Sequence, residues 1–559
     1  SGLFVKSSAS SFSSHSLKMK AANASDFYML MELLQGSGFH RRQNAICHDR
    51  INKMKRSDYK ILLLDAPQSI WKWFDGTLPS PALAIFASYF KTLYELKILD
   101  LNIEKKPWEL LKKVLAEFGP DLIALPCTHT CHINEVEASL RLIRKFSPRS
   151  VIIGGGVHFN VFYKDFIEKN LVDFVCLGEG ELTFSELART LSDMRRAQDG
   201  HEAVSFEEKI GRIKKIDGLA FSVNGEVIKT GARKQIADLD TIPLPSYELF
   251  QMEHYKIPIY GGKETFGMTF GRGCRNKCCF CSESFGWDYT LRRNSPAYAV
   301  KHIELLYHGF NRRTFIFADT DFLLDKKWCE EFINIIKEKN LRINFHIQTA
   351  CRTLLKNVEL LPKLKEIGLF EIMLGTESPF QNVLNKLKSF PQSVEIMTRA
   401  MKAVKDNDIL LMAMMFWGTE YDDEQTLRQG LKFFDKYADI TCPNALTPYP
   451  GTALYNELTE KGSIHVDDLS LYDQSHIIVP AGDMSYRQTR WTFEKELLRH
   501  FNFNPRFYLG LFSKNRFLRT NYWHYLKLIW MLALEGLMSP VKYRKELFAK
   551  SEFDKIMGA

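Results

Sequence analysis

The chain reads as an α/β protein. A doubly wound, Rossmann-like domain is followed by a partial (β/α)6 barrel of the TIM type and a mostly helical C-terminal region. Three observations predict this. Short apolar runs alternate with helix-period segments in two separate series. A loop with four cysteines, GRGCRNKCCFCSESFGW, directly follows the first strand of the second series. Basic and aromatic residues then accumulate near the C terminus.

The chain has 559 residues, room for about three domains. It is 45% hydrophobic and 25% charged, an ordinary globular composition that affords a large core without disulfide staples. Its eleven cysteines therefore read as free thiols of a cytoplasmic protein plus one special cluster. Residues 1–25 hold no acid and many serines, consistent with a tag remnant, a disordered tail or a targeting segment. Residues 1–57 are expected to be a partly helical or disordered extension. No 18-residue stretch is free of charge, so no transmembrane helix is expected.

The first series occupies 58–205. Its apolar runs are YKILLLDAP, LKILDLN, DLIALPC, SVIIGGG and DFVCLGEG, separated by segments such as PWELLKKVLAEF and VEASLRLIRKF. Continuous apolar strands between helices mean a parallel sheet covered on both faces. Ligands of such sheets bind outside the strand carboxyl ends. Those ends carry Pro67, Cys127, Gly154 to Gly156 and Gly178 to Gly180, and glycine permits close backbone approach to a bulky ligand. Residues 206–255 read as a connector, with an Asn-Gly hairpin in FSVNGEV.

The second series occupies 256–465. Its strands are FGMTFGRG, TFIFADTDF, INFHIQTAC, LFEIMLGTES, ILLMAMMFW and ITCPNALTPY, each followed by a helical stretch. Six such units predict an open barrel with its site at the strand carboxyl ends. The cysteine loop sits at that mouth. Cys274, Cys278 and Cys281 are spaced C-x3-C-x2-C, and thiolates are soft ligands suited to an iron–sulfur cluster or zinc. A structural zinc site wants four closed ligands. Adjacent Cys278 and Cys279 point apart in most backbone conformations, which makes Cys279 a bystander in the wall. Three ligands leave one iron of a four-iron cluster open.

From Ser485 to Ala559 there are 14 Lys/Arg and 6 Asp/Glu, a charge of +8 (14 − 6) out of +9 overall. Ten aromatic residues lie between Phe501 and Trp530. A solvated helical region with an aromatic core explains this composition; a peripheral membrane contact or an acidic partner also fits it.

The loop GRGCRNKCCFC and the segments after it resemble the radical S-adenosylmethionine (SAM) superfamily, and more narrowly its cobalamin-binding branch. The resemblance spans about 58–520. It implies a 4Fe-4S cluster on Cys274, Cys278 and Cys281. It implies SAM contacts from Phe280, from Asp319 and Asp321 in FADTDF, from Arg352 in ACR, from Glu377 and Ser378 in LGTES, and from Gly418 in FWGTE. LTPYPGTALY matches the family's sixth strand. VIIGGGVH and DFVCLGEGELTFSEL resemble the cobalamin module, which implies contacts from Gly155, Gly156, Val157, His158, Gly178, Glu179 and Gly180. Cys127 and Thr128 fall where the corrinoid would lie, and Trp71 and Trp73 in SIWKWFDG are candidates to cover its lower face. Two departures stand out. ADTDF replaces the commoner pair of adjacent acids. The D-x-H-x-x-G signature that supplies a histidine to cobalt is absent, so a cobalamin without protein imidazole is expected.

The resemblance implies an oxygen-sensitive C-methyltransferase that uses a 5′-deoxyadenosyl radical and methylcobalamin on a small-molecule or lipid-like substrate. A flavodoxin or ferredoxin would donate the electron, and no nucleic acid is expected. The alternatives are an oxidative cyclase or ring-rearrangement enzyme acting on a tetrapyrrole or lipid and, from another class, a cobalamin-binding sensor or carrier with a degenerate barrel. CTHTCHI, with Cys127, His129, Cys131 and His132, reads as a minor candidate for a second metal. After the barrel, 466–559 is expected to close the substrate cavity as a helical cap.

Overall fold

The structure is a computed structural model. It describes residues 57–68, 76–199, 205–537 and, near the C terminus, 553 and 556–558. Residues 1–56, Trp71 and Trp73 lie outside the described residues.

The first sheet has seven strands: β1 (Lys60–Asp65), β2 (Glu95–Asp100), β3 (Leu122–Pro126), β4 (Val151–Gly155), β5 (Phe174–Cys176), β6 (Leu219–Val223) and β7 (Glu226–Lys229). Their order is β2-β1-β3-β4-β5-β6-β7, parallel through β5 and antiparallel beyond it. KILLLD is apolar throughout because each face buries its own core. Ile61 and Leu63 join one cluster and Leu62 and Leu64 the other, as expected for a strand covered on both sides. The helix Pro107–Phe118 starts with Pro at its first turn and ends at Gly119, with φ +57°, a residue order suited to those ends.

The expected hairpin forms. Asn224 and Gly225 both take positive φ, and Val223 pairs with Glu226 across them. It does not stand free in a connector, however: β6 pairs with β5 and lengthens the first sheet past residue 205.

The second sheet is six-stranded and all parallel, with order β15-β14-β13-β12-β11-β8. Its strands are β8 (Thr265–Met268), β11 (Thr314–Phe317), β12 (Asn344–Ala350), β13 (Leu369–Glu377), β14 (Leu410–Trp417) and β15 (Ile440–Ala445). With β8 and β15 at its two edges it is an open half-barrel. Phe315, Phe317, Phe345, Ile347, Ile372, Leu374, Leu411 and Ala413 face the helices. The alternating positions, including His346, Gln348, Glu371, Met373, Met414 and Asn444, therefore face the interior.

FGMTFGRG is two strands rather than one. The chain leaves the sheet at Thr269 and Phe270, and Gly271–Gly273 (β9) pairs with Leu291–Arg293 (β10) as a separate ribbon. Phe270 causes the break. Its ring packs on Phe317, Trp328 and Phe332, and its N–H donates to Asp319 Oδ2 at 3.1 Å.

The expected C-terminal cap divides. Gln474 bonds the end of β15 at the mouth, accepting from Ala445 N at 2.7 Å. The last helices go elsewhere. Tyr486–Phe503 lies on the helix Glu424–Tyr437 through Arg428–Glu496 at 2.9 Å. Arg516–Leu537 reaches the opposite end of the barrel, where Phe517 stacks on Phe370 near the start of β13 with centroids 3.8 Å apart. Apolar surface at the amino ends of the strands needs a cover as much as the mouth does, and this helix supplies it.

Candidate functional site

At the first mouth, strand order reverses between β1 and β3, the switch point where such sheets bind ligands. The loops after β3 and β4 are stitched together: Cys127 N donates to Gly155 O at 2.8 Å and His158 N to Cys127 O at 3.3 Å. Gly156 has φ +96°, and a Cβ there would lie 2.7 Å from Cys127 O, so only glycine fits. Gly178, φ +80°, is exposed, with nothing within 4 Å of a would-be Cβ. Thr128 is exposed, and Gly155, Gly156, Val157 and Gly180 are half-buried. A glycine-lined, open backbone at a switch point fits close approach of a large planar ligand.

Three residues expected on that ligand point inward instead. Cys127 is buried, its Sγ 3.4 Å from His129 O. The His158 ring packs 4.7 Å from Phe162, with Nδ1 3.3 Å from Thr130 Oγ1, and burial lowers its pKa to about 4. Glu179 is buried among cations. Its Oε1 accepts from Arg272 at 2.6 Å and Arg292 at 2.8 Å, and its Oε2 accepts from Ile236 N at 2.6 Å. Arg272 also pairs with Glu181 at 2.5 Å. Both guanidinium groups lie over the Trp287 ring, 5.6 and 5.5 Å from its centroid. The GEGE carboxylates thus face the barrel because two arginines of the β9–β10 ribbon complete their solvation. Sequence spacing carries no sign of that partnership.

At the second mouth, Cys274, Cys278 and Cys281 are free and partly exposed, whereas Cys127, Cys131, Cys176, Cys329 and Cys351 are buried. Burial raises the Cys274 and Cys278 thiols, and all three cysteines lie on the loop between β9 and the short helix Ser282–Gly286. Among the described residues no three His, Cys, Asp or Glu side chains converge on a single metal ion, CTHTCHI included. A four-iron cluster takes one ligand per iron, so its cysteines stand apart around a cube, and three soft thiols on one loop fit that need. Cys279 turns the other way. It packs with Phe280, Phe416, Leu387 and Leu454, and its Sγ lies 3.5 Å from Lys386 O. Burial raises its pKa to about 11.

The strand ends around this loop hold the other expected contacts. Phe280 lies 4.8 Å from Phe416. Glu377 takes φ +55° at a bulge after Gly375, a strained backbone for a side chain of this type. Lys388 fixes it, with Nζ 2.6 Å from Oε1. Burial opposes the Lys388 charge, but Glu377 and the Cys278 thiol outweigh it and raise its pKa. Ser378 is buried and Arg352 exposed. Gly418, φ +122°, donates its N–H to Asp422 Oδ2 at 3.1 Å.

The two aspartates are turned into the protein. Asp319 accepts from Phe270 N and faces Arg293 Nε at 3.6 Å. Asp321 accepts from Thr349 at 2.6 Å and Thr353 at 2.7 Å, tying β12 to the segment after β11. Thr320 between them points to the cysteine loop, donating to Gly273 O at 3.0 Å. Thr320, Lys388 and Ser389, whose Oγ accepts from Lys277 N at 2.7 Å, were missed in the sequence. The polar run KLKS two turns past LGTES was the only signal for the last two, and Thr320 sat unremarked between the acids of ADTDF.

A family model described as B12 binding domain matches residues 73–188, and one described as Radical SAM superfamily matches 268–429. An uncharacterized methyltransferase of Pyrococcus horikoshii is 28% identical over 412 residues, covering 71% of this chain and 82% of its own length. The anaerobic magnesium-protoporphyrin IX monomethyl ester cyclase of Rubrivivax gelatinosus is 27% identical over 405 residues, 71% of this chain and 69% of its own. The radical SAM methyltransferase TsrM of Kitasatospora setae, solved with cobalamin and a [4Fe-4S] cluster, shares the fold, with TM-score 0.58, 16% identity and coverage of 78% of this chain and 85% of that one. With a glycine-lined switch point in the first sheet and a three-thiol loop at the mouth of the second, the chain belongs to the cobalamin-dependent radical SAM enzymes.

Proposed function

We propose that the protein is a C-methyltransferase that acts on an unactivated carbon of a small-molecule or lipid-like substrate. One observation carries the reading. The loop after β5, in the first mouth, is bonded through Glu179 to Arg272, two residues before Cys274. This ion pair ties the two mouths together, as a reaction that uses a cofactor in each would require.

When bound, SAM on the cluster supplies a 5′-deoxyadenosyl radical and cobalamin a methyl group, chemistry beyond any side chain. Cys274, Cys278 and Cys281 would hold the cluster. Phe280, Glu377, Ser378 and Gly418 at the strand ends would seat SAM, with the Glu377 carboxylate pinned by Lys388. Thr128, Gly155, Gly156, Val157, Gly178 and Gly180 would meet the corrinoid. Gln348, Met373, Met414 and Asn444 line a half-buried interior below the mouth, where thioethers and amides would meet a substrate away from bulk water. A low-potential flavodoxin or ferredoxin in a reducing cytoplasm would deliver the electron, and the C-terminal helices would touch a membrane surface.

Anaerobic reconstitution with SAM and methylcobalamin tests this. The expected result is 5′-deoxyadenosine together with S-adenosylhomocysteine and a methylated product. The Rubrivivax relative favours a second reading, oxidative cyclisation, which would yield 5′-deoxyadenosine without homocysteine product. Neither nucleoside product would remove both readings and leave a carrier or sensor.

A further inference from the structure

We infer that the elbow joining the last three helices docks the protein onto an anionic lipid surface. The helices are Tyr486–Phe503, Pro505–Gly510 and Arg516–Leu537. At their junction large apolar side chains stand out into solvent: Phe503 is 78% exposed, Leu509 71%, Phe512 80% and Trp523 52%. Buried partners exist elsewhere on the same helices, so these residues are not short of a core to join. Phe493 and Phe517 take that role.

Two hydrogen bonds join the last helix to the turn before it. Trp523 Nε1 donates to Leu511 O at 3.1 Å and Arg519 Nη1 to Ser513 O at 2.7 Å. These bonds hold the indole and the guanidinium against the turn that carries Phe512 and Lys514.

The charge around the patch selects the partner. Between Glu496 and Glu535 the chain has no acid and six Lys/Arg: Arg499, Arg506, Lys514, Arg516, Arg519 and Lys527. The nearest acids beneath the elbow are already engaged. Asp435 lies against His500 and bonds Asn504, and Asp439 pairs with Lys405. Protruding aromatic and aliphatic tips within a cationic rim fit the headgroup region of an anionic bilayer, with the tips among acyl chains and the rim on phosphates. No helix among the described residues is long and apolar enough to cross a membrane, so the contact is superficial. The described residues at the end of the chain lie elsewhere. Phe553 packs 5.5 Å from Trp108, and Lys145 Nζ bonds Ile556 O at 3.3 Å, on the first domain's helices.

The test is co-sedimentation of the full chain with phosphatidylcholine vesicles and with phosphatidylglycerol-rich vesicles at low and high salt. Pelleting is expected only with the anionic vesicles, and less at high salt. Lys514→Glu and Arg506→Glu should each lower the partition at least about five-fold, the ratio that ~1 kcal/mol per basic residue implies. Leu509→Ser with Phe512→Ser should abolish it, while Phe206→Ser, a substitution at an exposed apolar residue far along the chain, should not. Acyl chains labelled with bromine should quench part of the tryptophan fluorescence, and that part should vanish in Trp523→Phe. Intact far-ultraviolet circular dichroism of each variant separates lost docking from lost folding. The inference falls if the wild-type chain stays in the supernatant at low salt, if neutral vesicles bind equally, or if the bromine quenching survives in Trp523→Phe. It also falls if the elbow variants instead dissolve a dimer seen by light scattering without vesicles, or if they abolish only the binding of an acidic flavodoxin.

Discussion

Glu179 and Arg272 meet at 2.6 Å, both largely buried, one in the loop after the last parallel strand of the first sheet and the other in the strand that leads into the cysteine loop. Arg292 completes the cluster from the paired strand. Removing the carboxylate takes the anionic partner from buried Arg292 and leaves Arg272 with Glu181 alone. Glu179→Ala should therefore cost about 3–5 kcal/mol in denaturant unfolding, the usual penalty for breaking a buried pair from one side. The matched change Glu179→Gln with Arg272→Met should recover part of it. An additive double-mutant cycle would show that the pair is uncoupled.

Replacement of Cys274, Cys278 or Cys281 by Ala should abolish the visible iron–sulfur absorption of the reconstituted protein, because each removes a thiolate ligand. Cys279→Ala should keep it, since that side chain lies in an apolar wall. Loss of iron from Cys279→Ala with retention in Cys278→Ala would reverse the register.

Lys388 stands between Glu377 and the Cys278 thiol. A cation beside a cluster ligand stabilises the reduced, more negative state. Lys388→Met should lower the cluster's reduction potential by about 60 mV for each ~1.4 kcal/mol of interaction lost. Redox titration followed by electron paramagnetic resonance measures this directly; an unchanged or raised potential would contradict the placement.

His158 is packed as a neutral ring, with pKa about 4 against an ordinary value near 6.5, and His302 behaves alike at about 3. Between those values the unfolded chain binds the extra proton. Stability should fall as pH drops from about 6.5 towards 4, by up to ~3 kcal/mol for His158. His158→Phe, in a nest of Phe162 and Phe166, should flatten the slope in urea unfolding at pH 7 and pH 5.

With His158 and His132 both buried, the cobalt(II) form of the loaded protein should show no hyperfine splitting from a protein nitrogen. Splitting that disappears in His129→Ala would locate a lower ligand on the exposed histidine.

Much of this protein is legible from local pattern. Continuous apolar runs such as KILLLD mark strands buried on both faces, Asn224-Gly225 marks a hairpin, and C-x3-C-x2-C sets three partly exposed thiols on one loop with Cys279 turned into an apolar wall. Each depends on neighbours in the chain, where backbone geometry alone limits the outcome. Other features depend on what meets across the fold. Glu179 and His158 lie in motifs that suggest ligand contact, yet one is solvated by arginines 93 and 113 residues away and the other is packed among phenylalanines of its own helix. Asp319 serves the backbone of Phe270 because Phe270 is drawn out of its strand into an aromatic cluster. The final helix covers the base of the barrel rather than its mouth because Phe370 and Tyr260 need burying there. A carboxylate or a ring is indifferent to sequence distance; its place is decided by which buried charge or apolar surface the tertiary structure leaves for it to satisfy, while strand, turn and thiolate spacing were already determined in the sequence.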